Sequence, residues 1–315
     1  MSSAKKILWL IIAGLFLIIT KLNSGTHPRV GTTSANFLKQ MIGPRAEGMG
    51  GAFVSIADDI NSIHYNPAGL SMVNDINIAF FHNELYIEER RGYVGFTYPL
   101  RDKTLGFSFS GSYSGGMIRR DDEGVDLNDN FYATDRVITL AIGKKMGKES
   151  RLGGGLKFIY QKIDEHISLG IAADIGVLID VPYVKNLQAG GVIRNLGTGK
   201  NLKILPIEAD AGLGYKLLKE KLIISSEIKI PIDNFIRLCV GIEYNLKDMI
   251  FLRAGYHYRI EENKLGDILG FQGGIGVKIY RGKISFDYCT IPYGILSEDS
   301  IFNTTRQLGS CIILM

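Results

Sequence analysis

The sequence contains few of the residues that build metal centres and disulfide frameworks. Its 315 residues include 3 cysteines, 5 histidines and 1 tryptophan. The cysteines, Cys239, Cys289 and Cys311, are far apart in sequence, and no two histidines are spaced as neighbours on one helix face. A zinc site or a disulfide framework needs closer or paired positions. We therefore expect no metal site and no cofactor.

Catalytic signatures are also missing. The sequence has no Gly-x-Ser-x-Gly motif, and no pair of carboxylates can be placed in a credible cleft. The glycines of Gly48-Met49-Gly50-Gly51 have neither the Walker nor the Rossmann spacing, and no strand precedes them. We therefore predict that the protein is not an enzyme and assign no catalytic residue.

Long hydrophobic runs are scarce, and the one at the start has the form of a secretion signal. Lys5 and Lys6 precede an apolar run from Ile7 to Ile19, and Ser24 follows at a plausible cleavage position. The run is short for a membrane-spanning helix, which needs about 20 residues. We expect residues 1–24 to be a cleaved signal peptide and the mature chain to be exported. No lipoprotein cysteine follows the run.

Excess charge is absent from the expected mature chain. Removal of Lys5, Lys6 and Lys21 with the signal peptide lowers the formal net charge from +4 to about +1. The remaining basic residues are scattered. Nucleic-acid binding requires a concentrated basic surface, so we exclude nucleic acid as a partner.

What the sequence does contain is glycine, at 38 residues, and strict two-residue alternation. In Leu105 to Ser114, large apolar residues alternate with glycine and serine. The same pattern recurs in Ile236 to Asn245 and in Ile250 to Ile260, where one face carries no charge. About 14 such segments of roughly ten residues follow residue 75, the length of a tilted membrane-crossing strand.

This pattern predicts an all-β transmembrane barrel of about 14 antiparallel strands. The alternative is a secreted soluble β-sandwich or barrel, which also hides one face. Its strands would be shorter, about five or six residues. A face of glycine, serine and isolated charges is also more typical of a crowded, hydrated lumen.

The joints between the predicted strands are of two kinds. Residues 147–150, 218–220 and 281–283 form short turns, whereas residues 118–130, 196–205, 261–268 and 294–303 form longer joints. Short turns at one end and longer loops at the other are typical of outer-membrane barrels. The acidic run Asp121 to Asp126 lies in a longer joint. We interpret it as a solvated loop, with contact to a partner or to divalent cations as the alternative.

A barrel does not need the segment between the signal peptide and residue 75. This segment has no long alternating run. Ala52 to Tyr65 is predicted to form a short helix that carries Phe53, Ile56, Ile60 and Ile63 on one side and ends before Pro67. We therefore divide the chain into a signal peptide (1–24), an N-terminal hatch or plug (25–74) and a transmembrane barrel (75–315).

Several motifs of the hatch segment occur in the order found in a known family. They are Ala35-Asn36-Phe37-Leu38, Pro44 to Val54, Ala57-Asp58-Asp59 and Tyr65-Asn66-Pro67-Ala68-Gly69-Leu70. Together they resemble the N-terminal signature of the PorV/PorQ family, outer-membrane proteins related to the FadL transporters. The resemblance implies a fourteen-stranded barrel with an internal hatch. It also implies a set of hatch or gate residues, namely Arg45, Gly48, Gly50, Gly51, Asp58, Asp59, Asn66, Pro67, Ala68 and Gly69.

The resemblance implies two functions. The first expectation is an accessory of protein secretion or surface attachment of the type IX kind, which would bind secreted protein cargo. The alternative is a FadL-like transporter that passes a hydrophobic small molecule across the outer membrane. Either role implies contact with outer-membrane lipid and with the barrel-assembly machinery of a Gram-negative-type bacterium. The sequence departs from usual barrels at its last residue, Met315, where an aromatic residue is common.

Two acidic residues of the hatch segment are expected to anchor it. Asp58 and Asp59 lack the spacing of a calcium loop. Charges inside a barrel are usually paired, so we predict that these carboxylates contact lumen arginines such as Arg237, Arg253 or Arg259.

Overall fold

The computed structural model describes residues 27–84, 89–259, 270–292 and 304–314. In these residues the chain forms a closed barrel of fourteen antiparallel strands. Each strand pairs with the next along the chain, and β1 pairs with β14 to close the ring. This confirms the predicted fold class. The strands are β1 (Ile76–Glu84), β2 (Glu89–Leu100), β3 (Lys103–Arg120), β4 (Asp126–Met146), β5 (Ser150–Ile163), β6 (His166–Asp180), β7 (Leu187–Lys200), β8 (Glu208–Leu217), β9 (Leu222–Pro231), β10 (Arg237–Leu246), β11 (Ile250–Arg259), β12 (Phe271–Ile279), β13 (Ile284–Pro292) and β14 (Thr304–Leu314).

The alternation seen in the sequence separates the two faces of the wall. On β3, Leu105, Phe107 and Phe109 are 41%, 40% and 39% exposed on the outer face, whereas Ser108 and Ser110 are buried on the inner face. Successive side chains of a strand point to opposite sides, so a period of two produces an apolar outside and a small, polar inside. The outer apolar side chains form the surface that lipid would cover.

The β3–β4 hairpin is longer than the sequence predicted. The expected joint over residues 118–130 is wrong, because β3 continues to Arg120 and β4 starts at Asp126. Backbone pairing persists up to the pair Arg120 and Asp126, after a register shift beyond Ser114. Similarly, β7 continues to Lys200, so the joint expected at 196–205 lies at 201–207. The joints expected at 261–268 and 294–303 lie outside the described residues.

The two ends of the barrel carry different connections between the strands. We call the end where β1 starts and β14 finishes the turn end. It also carries the connections 101–102, 147–149, 181–186, 218–221, 247–249 and 280–283, the last of which contains the 3-10 turn Tyr280–Gly282. We call the opposite end the loop end. It carries the connections 121–125, 164–165, 201–207 and 232–236.

Residues 27–75, which we call the hatch, lie mostly inside the barrel and contact strands around the ring, whereas residues 28–32 are exposed. Their regular structure is limited to short pieces: the 3-10 helices Asn36–Lys39 and Pro67–Met72 and the α-helices Pro44–Gly48 and Ser62–Tyr65. No helix in the described part of the chain is both long and apolar enough to cross a membrane.

The helix predicted over Ala52 to Tyr65 is wrong, since only Ser62–Tyr65 is helical. The backbone N–H groups of Phe53 and Val54 instead donate to a carboxylate oxygen of Glu227 on β9, at 2.6 and 2.7 Å. An acceptor supplied by the barrel wall thus replaces a helical carbonyl. The apolar side chains expected on one helix side are all buried nevertheless.

Candidate functional site

Inward-facing glycines around the barrel wall contact the hatch, and we call this set of residues the girdle. At each of these glycines, a Cβ atom would meet an atom of the hatch at about van der Waals contact or closer. Absence of a side chain is what allows the two surfaces to approach. The girdle glycines are Gly95, Gly106, Gly143, Gly153, Gly176, Gly190, Gly212, Gly214, Gly241, Gly255, Gly274 and Gly309.

Much of the girdle contacts hatch backbone directly. A Cβ on Gly153 would lie 2.2 Å from the nitrogen of Ala68, and one on Gly255 would lie 2.0 Å from the nitrogen of Gly50. On β2 and β3 the contacts differ. Gly95 and Gly106 face the ends of apolar hatch side chains, such as Cδ1 of Ile60 at 3.1 Å. The hatch therefore meets the wall partly through its backbone and partly through side chains, which also face girdle glycines on β6, β8 and β14.

The Asn-Pro-Ala-Gly element fixes the hatch against β5 and β6. The Asn66 side chain donates to the carbonyl of Val54 within the hatch (2.9 Å) and to that of Val177 on β6 (3.1 Å). It also accepts from the N–H of Ala68 at 3.2 Å and so caps the following 3-10 helix. Pro67 and Ala68 are buried against Gly153. At Gly69 a Cβ would lie 1.9 Å from the carbonyl oxygen of Ala57, so only glycine fits.

Arg45 is the centre of an ion network that joins the hatch to the wall. Its guanidinium contacts Asp58 at 2.6 Å, Asp59 at 2.8 Å and Glu243 of β10 at 2.9 Å. Glu243 also contacts Arg253 of β11 at 2.6 Å. The predicted partners of the two aspartates are therefore wrong, because Arg45, within the hatch itself, lies closer than any strand arginine.

Two of the three strand arginines that were predicted to bind these aspartates contact wall carboxylates instead. Arg253 contacts Asp287 on β13 at 2.5 Å in addition to Glu243. Arg237 contacts Glu208 on β8 at 2.5 Å. Arg259 lies at the loop end of β11. The cations of the wall thus pair mainly with wall carboxylates, and the hatch brings its own cation.

Further charged contacts hold the hatch to the sector β8–β10. Glu227 of β9 accepts the two backbone N–H groups described above. Near the loop end, Lys39 of the hatch contacts Asp233 in the β9–β10 connection at 2.6 Å, and the Thr33 hydroxyl also donates to this carboxylate. Charge-assisted hydrogen bonds of this kind are stronger than neutral ones. This half of the lumen therefore attaches the hatch.

The opposite sector, β1–β5, has an uncharged row of register partners. Phe81, Tyr93, Ser110, Val137 and Ile159 follow one another on adjacent strands and all face inward. Two apolar clusters meet here. One contains hatch residues Phe37 and Leu38, and the other contains Ile42, Ile60 and Ile63. We call this row the apolar side of the lumen and the sector β8–β11 its charged side. Two buried charged side chains flank the row, Arg91 of β2 and Lys157 of β5, each two residues from it along its strand.

Two cavities approach the apolar side. The upper cavity, toward the loop end, has a volume of about 10 Å³ and is lined by hatch residues Phe37, Leu38 and Ile42 and by Tyr93 and Val137 of the wall. Such a volume holds about one water molecule. Lys157 also lines it, with its ammonium 2.7 Å from Asp174.

The lower cavity, toward the turn end, has a volume of about 340 Å³. Its lining includes Ile60 and Phe81, together with the Arg45 network and Phe251 of β11. Its wall residues lie mainly on β10–β14, beside the Arg45 network, and its apolar edge is formed by Ile60 and Phe81. Within the described residues, no group of three or more histidine, cysteine, aspartate or glutamate side chains could hold a metal ion.

The residues that the sequence singled out in the hatch fall into two places. Arg45, Gly48, Gly50, Asp58 and Asp59 lie toward β8–β13, where Gly48 faces Gly274 and Gly50 faces Gly255. Gly51, at a φ of 75°, lies near Lys229 of β9. Asn66 to Gly69 lie against β4–β6. They are not gathered around one ligand-sized space.

Sequence reasoning missed the wall residues that meet the hatch. The sequence patterns assign no role to Glu227 or Glu243, and they indicate only a hydrated lumen for the inward glycines. In the structure these glycines face hatch atoms. A signal was present, since the glycines recur at inward positions on successive strands. The inward aromatic pair Phe81 and Tyr93 had no such signal.

The fold and the plugged lumen define the class as a closed fourteen-stranded β-barrel that encloses a hatch. Solved structures of channels resemble the chain. "CymD monoaromatic hydrocarbon channel" has a TM-score of 0.59 at 12% identity, covering 86% of this chain and 96% of that one. "TodX monoaromatic hydrocarbon channel deltaS2 mutant" has a TM-score of 0.60 at 10% identity, covering 86% and 96%. At such identity the likeness shows the fold alone.

The chain belongs to the Uncharacterised protein family (UPF0164), whose family model matches residues 19–214. A comparison with curated proteins finds no match. The matched residues include the hatch and strands β1 to β7.

Proposed function

We propose that this protein is a passage for hydrophobic small molecules across the outer membrane. The observation that carries this proposal is the row of uncharged side chains across β1–β5, from Phe81 to Ile159, where apolar hatch side chains face apolar and hydroxyl side chains of the wall. An apolar solute can move along such a surface without stripping polar groups of their partners. The structurally similar hydrocarbon channels support the same reading.

The opposite side of the lumen serves a different purpose in this proposal. Its buried charges are paired with one another and with the hatch, as in the contacts of Arg45 and Lys39. Paired, desolvated charges are costly to separate. The charged side therefore holds the hatch, and the β1–β5 side carries the solute.

Outer-membrane barrels usually place the chain termini and the short turns in the periplasm, and we orient this barrel in the same way. In that orientation the upper cavity faces the cell surface and the lower cavity faces the periplasm. A hydrophobic molecule would enter between the loop-end connections and proceed along β1–β5. Outer-membrane lipid would contact the exposed apolar side chains of the outer face.

The experiment that tests the proposal is uptake of a hydrophobic dye by cells with an intact lipopolysaccharide layer. The full chain is expressed in the outer membrane, and the entry of N-phenyl-1-naphthylamine is followed by its fluorescence. We expect the initial rate to rise severalfold over cells that carry an empty vector. Entry of the hydrophilic compound nitrocefin is the control and should stay unchanged. Equal dye rates with and without the protein would contradict the proposal.

A second candidate, an accessory role in protein export or surface attachment, is favoured by one observation. The β3–β4 hairpin extends beyond its neighbours, because pairing with β2 stops at Ser114 and pairing with β5 stops at Ala133. Arg119 braces this projection through contacts with Asp129 and Asp164, both at 2.8 Å. A projecting hairpin could bind secreted protein cargo. Cross-linking from cysteines placed in the hairpin, followed by mass spectrometry in the native host, tests this role.

A further inference from the structure

Four large uncharged side chains lie between the two cavities. Ile42 and Tyr93 line the upper cavity, and Ile60 and Phe81 line the lower one. All four belong to one buried cluster, with exposed fractions between 3% and 8%. Two come from the hatch and two from the wall. We call this layer the apolar partition.

We propose that the apolar partition is the gate of the passage, so that a solute moves from the upper to the lower cavity between Ile42 and Ile60 on the hatch and Tyr93 and Phe81 on the wall. This inference rests on the proposed function and adds the position of the gate and its selectivity.

The partition is a part of the hatch–wall contact that can open by side-chain motion. At many other girdle glycines the hatch backbone meets the wall directly, and elsewhere ion pairs join the two. Here the wall glycines Gly95 and Gly106 meet hatch side chains and not hatch backbone. Those side chains can move by rotation, whereas a backbone contact moves only with the whole hatch. Rotamer changes are also far faster than displacements of a segment.

The atoms of the partition also determine what it passes. The rings of Phe81 and Tyr93 stack with centroids 5.1 Å apart, and the facing hatch side chains are both isoleucine. An apolar molecule that enters replaces one set of dispersion contacts with another. A hydrated ion would lose its water and gain no partner, and apolar constrictions exclude ions in this way. The gate therefore selects uncharged, apolar molecules and blocks ions.

One hatch hydrogen bond positions the partition. The N–H of Ile42 donates to the hydroxyl oxygen of Tyr65 at 3.2 Å. Tyr65 is itself fully buried and packs edge-on against Phe53 at a centroid distance of 5.3 Å. The hatch half of the partition is thus anchored to the hatch core, which leaves the wall rings as the half that is easiest to alter by mutation.

The experiment measures ion conductance, because an apolar gate must be closed to ions until its side chains are removed. Purified full-length protein is inserted into planar phosphatidylcholine bilayers in potassium chloride. The double variant F81A/Y93A should conduct about tenfold more than the wild type, since its partition lacks both rings. Folding of each variant is checked by the heat-dependent mobility shift that intact barrels show on gels.

Two matched variants serve as controls. Phe80→Ala removes the same atoms as Phe81→Ala, but from the preceding residue of β1, whose side chain is 48% exposed on the outer face. Ile56→Ala creates a void in the buried hatch on the β8 side, where Ile56 faces Gly214. Both should conduct like the wild type. A folded F81A/Y93A protein without added conductance, or an equal rise in Ile56→Ala, would overturn the proposed gate.

A filling variant tests the gate in the opposite direction and separates the two proposals. Ile42→Trp should lower the dye-uptake rate to that of the empty vector, while the Val30→Trp control at the exposed start of the hatch should not. Suppose that the wild type takes up no dye, and that the ion conductance still rises in F81A/Y93A and not in the control variants. The proposed function then fails, and the position of the partition stands. If dye uptake is present and Ile42→Trp leaves it unchanged, the gate fails and the proposed function stands.

Discussion

Phe81 on β1 and Tyr93 on β2 are register partners whose rings lie nearly parallel, at an interplanar angle of 11°. Phe81 lines the lower cavity and Tyr93 the upper one. One cross-strand pair therefore spans the wall side of the boundary between the two spaces. Stacked aromatic pairs of this kind stabilise a sheet face. In this barrel the same pair also closes the route along the apolar side.

The girdle predicts that an added methyl group will displace the hatch. In Gly255→Ala the new Cβ would lie 2.0 Å from the backbone nitrogen of Gly50, and neither backbone can yield without strain. We expect a loss of about 1–3 kcal/mol in the free energy of unfolding, typical of overpacking. The thermal midpoint in detergent and the rate of protease cleavage within the hatch measure it.

Gly273→Ala is the matched control for this substitution, on the adjacent strand. A Cβ at Gly273 would have no atom within 4 Å. Alanine there should be neutral or slightly stabilising, because it lowers the entropy of the unfolded chain. Equal destabilisation by both substitutions would mean that the hatch does not press against the wall at Gly255.

The Arg45 network predicts a graded response. Arg45→Met removes the cation shared by Asp58, Asp59 and the buried Glu243, although Glu243 keeps its contact with Arg253 and Asp58 its contact with Lys216 at 3.7 Å. Removing one partner of a buried pair typically costs about 3–5 kcal/mol, and the remaining cations place the expected loss at the lower end. The double variant D58N/D59N should cost less, because Arg45 keeps its contact with Glu243. Protease cleavage of the hatch should therefore increase in the order wild type, D58N/D59N, Arg45→Met.

An exposed ion pair supplies the control for this series. Lys144 contacts Asp102 at 3.1 Å, and both side chains are more than half exposed. Lys144→Gln should change stability by about 0–1 kcal/mol, as is usual for surface pairs. If Arg45→Met is no more harmful than Lys144→Gln, the network does not hold the hatch.

Asn66 is predicted to be the residue through which the Asn-Pro-Ala-Gly element acts. Its amide bridges Val54 of the hatch and Val177 of β6, and both carbonyls would lose this donor in Asn66→Ala. Unsatisfied buried groups cost about 1–3 kcal/mol. The thermal midpoint should fall accordingly. Asn74→Ala, at an exposed position of the same segment, should leave it unchanged.

The strands were predictable because their signal is local. Leu105, Phe107 and Phe109 show the outer face without any knowledge of the rest of the chain, and the alternation of Ile236 to Asn245 did the same for β10. The extended β3–β4 hairpin was not predictable by this rule. Beyond Ser114 both faces of the hairpin are largely exposed, so the alternation on which the prediction depends is lost.

The hatch was predictable as a segment but not in its contacts. The absence of alternation before residue 75 indicated a plug, and the acidic pair Asp58 and Asp59 indicated an ion contact. Their partner, Arg45, lies 13 residues from Asp58 along an irregular path, and no periodic rule relates such positions. The backbone contact of Glu227 likewise depends on how the hatch is docked. These contacts depend on how the hatch is placed in the barrel, which no local sequence pattern shows.

The central claim is that an apolar solute occupies the β1–β5 side of the lumen, and photolabelling with the uncharged probe adamantyl diazirine tests it most directly. Labelled residues are identified by mass spectrometry of the full chain in lipid vesicles, with excess naphthalene as competitor. The account predicts label on the inward Phe81 and Tyr93 that naphthalene removes, besides label on the lipid-facing Phe80. Label on Phe80 alone, with none on Phe81 or Tyr93, would contradict it.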